Sequence, residues 1–306
     1  MYDLAILGGG PAGVAAGVYA SRKRLKTVFI TKDFQSQSTV SEGIENWVGT
    51  IKISGQDFAK NMEAHLRAYA VDIVDIHVGE YITKLEKSGD NFKVYTDTGS
   101  YEARTVLITT GSHRRKLNVP GADKYEHKGI TYCASCDGPL FADQDVVVIG
   151  GGNAAFESAS QLLAYCRSVT LLNRSDEFKA DPITVKKVLS NPKMKSLVGA
   201  ELVEIKGDKF VTGLTYKDKK SGEINELLVT GIFAEIGSVP TTEYAKDVIT
   251  LDPYGRIIVD AKTQASSTPG IWAAGDCADG LYHQNNIAVG DAIKALEDTY
   301  IYLHAK

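Results

Sequence analysis

Two copies of one local design, an apolar strand running into a glycine-rich turn and then a helix, predict an α/β protein with two Rossmann-like nucleotide-binding domains. A third observation is the pair Cys133-Ala134-Ser135-Cys136, which lies between the two copies. It attaches a redox dithiol to a protein organised around nucleotide sites.

The first copy begins at once. Leu4-Ala5-Ile6-Leu7 reads as a short buried strand that enters Gly8-Gly9-Gly10-Pro11-Ala12-Gly13, and residues 14 to 20 follow as a small-residue helix. Gly8 permits the tight turn, Gly10 lets the backbone approach a pyrophosphate, and Gly13 lets helix and strand pack closely. The helix N-terminus adds free N–H groups and a favourable dipole. A glycine turn without a ligand is the plainer alternative, and the strand-to-helix context argues against it. The next strand, Thr27-Val28-Phe29-Ile30-Thr31, ends without the acid that commonly holds an adenosine ribose.

The second copy runs from the strand Asp145-Val146-Val147-Val148-Ile149 through Gly150-Gly151-Gly152-Asn153-Ala154-Ala155 into a helix over residues 156 to 165, with Ala155 in the third small position. Two such units imply two dinucleotides, or one dinucleotide and a duplicated fold with a dead second site. The strand Ser168-Val169-Thr170-Leu171-Leu172 leads to Asn173-Arg174-Ser175-Asp176-Glu177-Phe178-Lys179, the segment expected to select the nicotinamide cofactor. An acid at position 173 would bind the ribose diol of NAD. Asn173 is no anion, and Arg174 with Lys179 can instead meet a 2′-phosphate. A solvated mixed-charge loop is the alternative, supported by Asp176 and Glu177.

Two thiols separated by two residues can close a small disulfide ring, so the pair accepts and passes on two electrons, and Asp137 beside it offers a carboxyl for proton traffic. Half a zinc site has the same spacing, but a zinc ribbon needs a second pair. The remaining cysteines, Cys166 and Cys277, are isolated and read as buried small hydrophobes. The six histidines, His65, His77, His113, His127, His283 and His304, lack metal spacing and read as surface or turn residues; no metal is expected.

A length of 306 residues with 43% hydrophobic and 24% charged content suits two globular domains. The net charge of −4 gives no footprint for nucleic acid, and no basic run suggests a membrane partner. The N-terminus lacks a secretory signal, and no apolar stretch approaches the roughly 20 residues that span a bilayer. Few cysteines, only two spaced for each other, fit a reducing compartment. A cytoplasmic protein is expected.

With these motifs in order, and with Ile44-Glu45-Asn46-Trp47, Thr109-Thr110-Gly111 and Trp272-Ala273-Ala274-Gly275-Asp276-Cys277 added, the chain resembles the low-molecular-weight thioredoxin reductases. These are class II flavoproteins of the pyridine nucleotide-disulphide oxidoreductase group. The dithiol just before the second glycine loop, with no cysteine in residues 1 to 132, is similar to that branch and to the flavoprotein core of alkyl hydroperoxide reductase.

The resemblance implies a second domain inserted into the first: residues 1–113 and 244–306 binding FAD, and residues 114–243 binding the nicotinamide and carrying the dithiol. It implies a flavin held by Gly8, Gly10, Pro11, Ala12 and Gly13 with Asn46, Thr110, Gly111, Gly275, Asp276 and Gln284, Asp276 accepting a hydrogen bond from the ribityl chain. Plainer roles are a turn cap for Asn46 and an Asx-turn for Asp276. The nicotinamide cofactor, NADPH with NADH also possible, falls to Gly150, Gly152, Asn153, Ala154, Arg174 and Lys179.

By the same resemblance Cys136 lies nearer the flavin, Cys133 attacks the partner disulfide, and Asp137 protonates the leaving thiolate; the residues themselves do not distinguish the cysteines. Hinges are expected near residues 111–113 and 236–240. The implied protein is a homodimeric thioredoxin-disulfide reductase acting on a thioredoxin-like protein. The alternatives are an NADH-dependent reductase of a peroxiredoxin system and a flavin-dependent dithiol oxidase, which would lack the second loop. Two departures stand out: Gln35-Ser36-Gln37 occupies the place of a Gly-Gly-Gln segment, and Asn173-Arg174-Ser175 with Lys179 is a thinned arginine cluster.

Overall fold

The computed structural model describes residues 1–41 and 43–304. The chain forms two compact units, one of Met1–His113 with Val239–Lys306 and one of Arg114–Ser238. In chain order the first unit supplies β1 (Tyr2–Leu7), α1 (Pro11–Arg22), β2 (Thr27–Thr31), α2 (Gly55–Ala70), β3 (Val74–Val78), β4 (Ile82–Ser88), β5 (Asn91–Thr96) and β6 (Ser100–Ile108). After β7 (Ser112–Arg114) come α3 (Ala122–Tyr125), β8 (Ile130–Thr131), α4 (Ala134–Asp137), β9 (Asp145–Ile149), α5 (Asn153–Leu162), β10 (Ser168–Asn173), α6 (Pro182–Leu189) and β11 (Met194–Val198). The chain continues through β12 (Ala200–Gly207), β13 (Val211–Asp218), β14 (Ile224–Leu228), β15 (Gly231–Ala234), β16 (Ser238–Pro240), β17 (Ile271–Ala273) and α7 (Asn285–His304).

The sheet of the first unit has the order β3-β2-β1-β6-β5-β4, with β17 also paired to β6. β1 runs parallel to β2 and β6, while β4 and β5 form an antiparallel extension. Alternation along β1 explains why it must be central. Leu4 and Ile6 enter one core with Phe29, α1 and α7, whereas Ala5 and Leu7 enter another with Val28, Ile30 and Phe92. A strand buried on both faces belongs inside a covered parallel sheet. Gly8 has φ of +115°, which frees the chain to turn from β1 into α1, and a Cβ on Gly13 would stand 1.9 Å from the Gly8 carbonyl oxygen.

The second unit repeats the plan with a five-stranded sheet of order β11-β10-β9-β15-β8 and a separate antiparallel sheet of β12, β13 and β14. All pairings in the five-stranded sheet are parallel. Val147 and Ile149 face one core, and Val146 and Val148 face the other with Phe156 and Ala155. The helix after the second glycine loop starts at Asn153 and ends at Leu162, earlier at both ends than its apolar pattern suggests. Residues 163 to 165 fold instead as turns, with the Tyr165 and Cys166 N–H groups donating to the Leu162 carbonyl.

Candidate nucleotide loops and redox dithiol

Each glycine loop sits at the carboxyl end of a central parallel strand, the place where open α/β sheets bind ligands. In the first, Gly10 caps α1 without any side-chain hydrogen bond, and Pro11 opens the helix. A Cβ on Gly10 would meet no atom within 4 Å, so the backbone there faces open space. The second loop matches it: Gly152 caps α5 without a side-chain bond, and a Cβ there would also be free of contact. Uncapped helix N–H groups beside open backbone fit a pyrophosphate at both loops.

The first unit gathers a polar group beside its loop. Gln37 Nε2 donates to Asp276 Oδ2 (3.1 Å), to Ser112 Oγ (3.2 Å) and to the Ser112 carbonyl (2.8 Å). His283 Nδ1 lies 3.3 Å from Asp276 Oδ1. Asn46 Nδ2 donates to Gln284 Oε1 (3.0 Å), Asn286 Nδ2 donates to the Asn46 carbonyl (2.8 Å), and Ser38 Oγ donates to Asn285 Oδ1 (3.0 Å). Gly275, Asp276, His283 and Gln284 border a cavity of about 360 Å³ with Gln264 and Ile287. Asn46 therefore meets Gln284, and Asp276 meets Gln37 and His283. Gln37 enters this group although it stands within a segment that departs from the expected pattern.

Thr110 serves differently from a free ligand side chain. Its hydroxyl donates to the Thr241 carbonyl (2.6 Å) and lies 3.2 Å from Tyr244 Oη, while its Cα would be 2.9 Å from a Cβ on Gly8. Its backbone is the part that borders the loop. Gly111 follows with φ of +64°.

In the second unit Asn173 is buried at the end of β10, and Arg174 and Lys179 are exposed. Asn153 Oδ1 accepts from the Asp181 N–H (2.8 Å), and Ala154 is exposed on the first turn of α5. Sequence reasoning passed over Glu235, whose carbonyl oxygen would be 2.4 Å from a Cβ on Gly150. Ser158 Oγ donates to its carboxylate (2.6 Å), Arg114 lies 3.5 Å away, and burial raises its pKa above the ordinary value.

Cys133 and Cys136 are joined in a disulfide with Cα atoms 5.3 Å apart. Cys133 precedes the single turn α4, where the Asp137 N–H donates to its carbonyl (3.0 Å). Cys136 is exposed and Cys133 half-buried. Thr131 Oγ1 donates to Asp137 Oδ2, which fixes the carboxyl beside the ring. Cys166 and Cys277 are free and buried, and burial pushes their thiols up to about 11 and about 12. His77 is half-buried on β3, between Glu80 (3.1 Å) and Tyr101 (2.9 Å). Among the described residues no group of three or more His, Cys, Asp or Glu is placed to hold a metal ion.

Two units, each with an open glycine loop after a central parallel strand and one carrying a bonded cysteine pair, have the build of redox proteins that use nucleotide cofactors. A family model for pyridine nucleotide-disulphide oxidoreductases matches residues 2–292, and the chain belongs to that family. It is 37% identical over 303 residues to an NADH dehydrogenase of Bacillus subtilis, and 38% identical over 304 residues to the F component of alkyl hydroperoxide reductase from Pseudomonas aeruginosa. These alignments take in 99% of this chain and 58% of each relative, so the chain spans under two thirds of their length. The thioredoxin reductase of Streptococcus pyogenes is similar in structure, with a TM-score of 0.89, 35% identity, and coverage of 100% of this chain and 99% of that one. The thioredoxin reductase of Giardia duodenalis gives a TM-score of 0.91 at 31% identity, covering 99% and 98%. Family membership implies a flavin and a pyridine nucleotide. No helix among the described residues is long and apolar enough to cross a membrane.

Proposed function

We propose that this chain is an NADPH-dependent disulfide reductase that carries FAD and reduces a thioredoxin-like protein through Cys133 and Cys136. The observation that carries this reading is the Cys133–Cys136 disulfide with Asp137 held beside it, in a chain with two open glycine loops. Gly8, Gly10, Pro11, Ala12 and Gly13 would hold the FAD pyrophosphate, and Asp276, Asn46 and Gln284 would orient the rest. The loop from Gly150 to Ala154, with Arg174 and Lys179, would hold NADPH. A bound flavin supplies two-electron transfer between nicotinamide and disulfide.

Once the ring is opened by two electrons and two protons, Cys133 passes its proton to Asp137, its thiolate attacks a partner sulfur, and the partner's other sulfur leaves as a thiolate. Asp137 supplies the proton to that leaving group. Cys136 then displaces the partner from the mixed disulfide, restoring the ring and releasing the reduced dithiol. Cytoplasmic location and a homodimer belong to this reading; Val48, Ile51, Leu281 and Tyr282 of the first unit are exposed apolar side chains that a second copy would cover.

A second reading, an NADH-dependent reductase of a peroxiredoxin system, is favoured by the alkyl hydroperoxide reductase relatives. Steady-state reduction of purified thioredoxin-like and peroxiredoxin disulfides, each with NADPH and NADH, separates the two. Faster turnover of a thioredoxin-like acceptor with NADPH supports the first. Turnover confined to NADH and a peroxiredoxin system supports the second.

A further inference from the structure

In many dinucleotide folds the residue ending the second strand touches the adenosine ribose. Here that residue is Asn173, at the end of β10 and 6% exposed. Its Nδ2 donates to the Ser175 carbonyl (2.9 Å) and the Glu177 carbonyl (2.9 Å), and its Oδ1 accepts from the Ser175 N–H (3.4 Å). Both N–H donors are committed to the chain that follows. A Cβ on Gly151 would stand 2.4 Å from Asn173 Oδ1, so the carboxamide lies against the glycine loop.

The same turn is tied on its far side. The Lys179 N–H donates to the Gly151 carbonyl (2.7 Å), and the Gly199 N–H donates to the Ser175 carbonyl (3.0 Å). Asp176 lies beside Gly199, between β11 and β12, where a Cβ on Gly199 would meet its Oδ1 at 2.8 Å. Arg174 and Lys179 are exposed and make no side-chain hydrogen bond or ion pair among the described residues.

We infer that Asn173 is a positioning residue for cofactor selectivity: its carboxamide clamps the turn of residues 174–179 onto the glycine loop, and it does not itself bind the ribose. This rests on the reading that the second unit takes a pyridine nucleotide. A carboxylate at this position has no N–H to offer, so it would face the Ser175 and Glu177 carbonyl oxygens and open the turn. Asn173→Asp therefore does not create an NADH site.

The test uses the full-length, flavin-loaded protein with 2′-AMP and 5′-AMP as calorimetric probes, together with NADPH and NADH kinetics and hydrogen exchange. Asn173→Asp is expected to weaken 2′-AMP about tenfold and to raise the NADPH KM in proportion, with kcat nearly unchanged and no gain for NADH. It is also expected to speed exchange at the Ser175 and Lys179 amides. Unchanged 2′-AMP binding, or an NADH KM that falls several-fold, overturns the inference. If Asn173→Asp does not fold, exchange on the wild type decides: protected Ser175 and Lys179 amides support the clamp, and amides exchanging as in an open loop refute it. Wild type that binds no adenine nucleotide contradicts the nucleotide reading alone, and the exchange result still decides the clamp.

Discussion

Thr131 Oγ1 donates a hydrogen bond to Asp137 Oδ2 and accepts one from the Cys133 N–H (3.4 Å), so a single buried hydroxyl joins the carboxyl to the backbone of Cys133. Asp137→Asn keeps the shape and removes the acid. It is expected to slow reduction of a protein disulfide by about 10²–10³-fold while nicotinamide still bleaches the flavin at near wild-type rate. Thr131→Val is expected to give a smaller loss in the same step. Stopped-flow absorbance with and without acceptor checks both, and an Asp137→Asn variant with unchanged acceptor turnover removes the carboxyl from proton transfer.

Arg174 carries the most direct prediction about cofactor choice. An exposed guanidinium contributes a charge-assisted hydrogen bond of roughly 1.5–3 kcal/mol to a well-placed 2′-phosphate. Arg174→Ala should raise the NADPH KM about tenfold and leave the NADH KM nearly unchanged, measured by initial rates under matched ionic strength. Equal losses with both nucleotides would place Arg174 outside the 2′-phosphate site.

Cys277 links burial to alkaline stability. Its thiol is fully buried, has the Ala274 (3.4 Å) and Ile108 (3.5 Å) carbonyls within reach of its single S–H, and is pushed from an ordinary value of 9.0 up to about 12. The folded state therefore holds this proton more tightly than the unfolded chain. Its contribution to stability is complete below pH 9 and is lost as pH rises toward about 12. Cys277→Ala should flatten the alkaline limb of a stability–pH curve from urea melts. An unchanged slope contradicts the assignment.

Phe156 anchors α5 on the second sheet. It is fully buried and packs edge-on against Phe178 with ring centroids 4.9 Å apart. Phe156→Ala should cost about 3–5 kcal/mol of stability and Phe156→Leu considerably less, read from urea unfolding by circular dichroism. A Phe156→Ala midpoint equal to wild type would mean the site collapses without a cavity.

The parts of the molecule legible in the sequence are those built from neighbouring residues. Gly8 to Gly13 turn β1 into α1 because strand, turn and helix are contiguous, and Cys133 with Cys136 close a ring because two residues separate them. Gln37 beside Asp276 and Asn46 beside Gln284 are pairs separated by 239 and 238 positions, brought together only by the folded sheet. Asn173 teaches the same point at short range. Its residue type shows that a ribose-binding acid is missing, but only the direction of its carboxamide reveals that the side chain folds the next turn. Thr110 likewise reads as a ligand in a motif, while its hydroxyl is already held by Thr241.

The most direct test of the proposed function is an anaerobic NADPH titration of the oxidised, flavin-loaded protein, followed by flavin absorbance and by counting new thiols. Flavin and disulfide each take two electrons, so wild type should consume about two equivalents of NADPH per chain and expose two new thiols. The Cys133→Ser and Cys136→Ser variants should each consume about one equivalent, bleach their flavin, and fail to reduce a thioredoxin-like acceptor. Wild type that stops at one equivalent with Cys133 and Cys136 still bonded would contradict electron delivery to this dithiol.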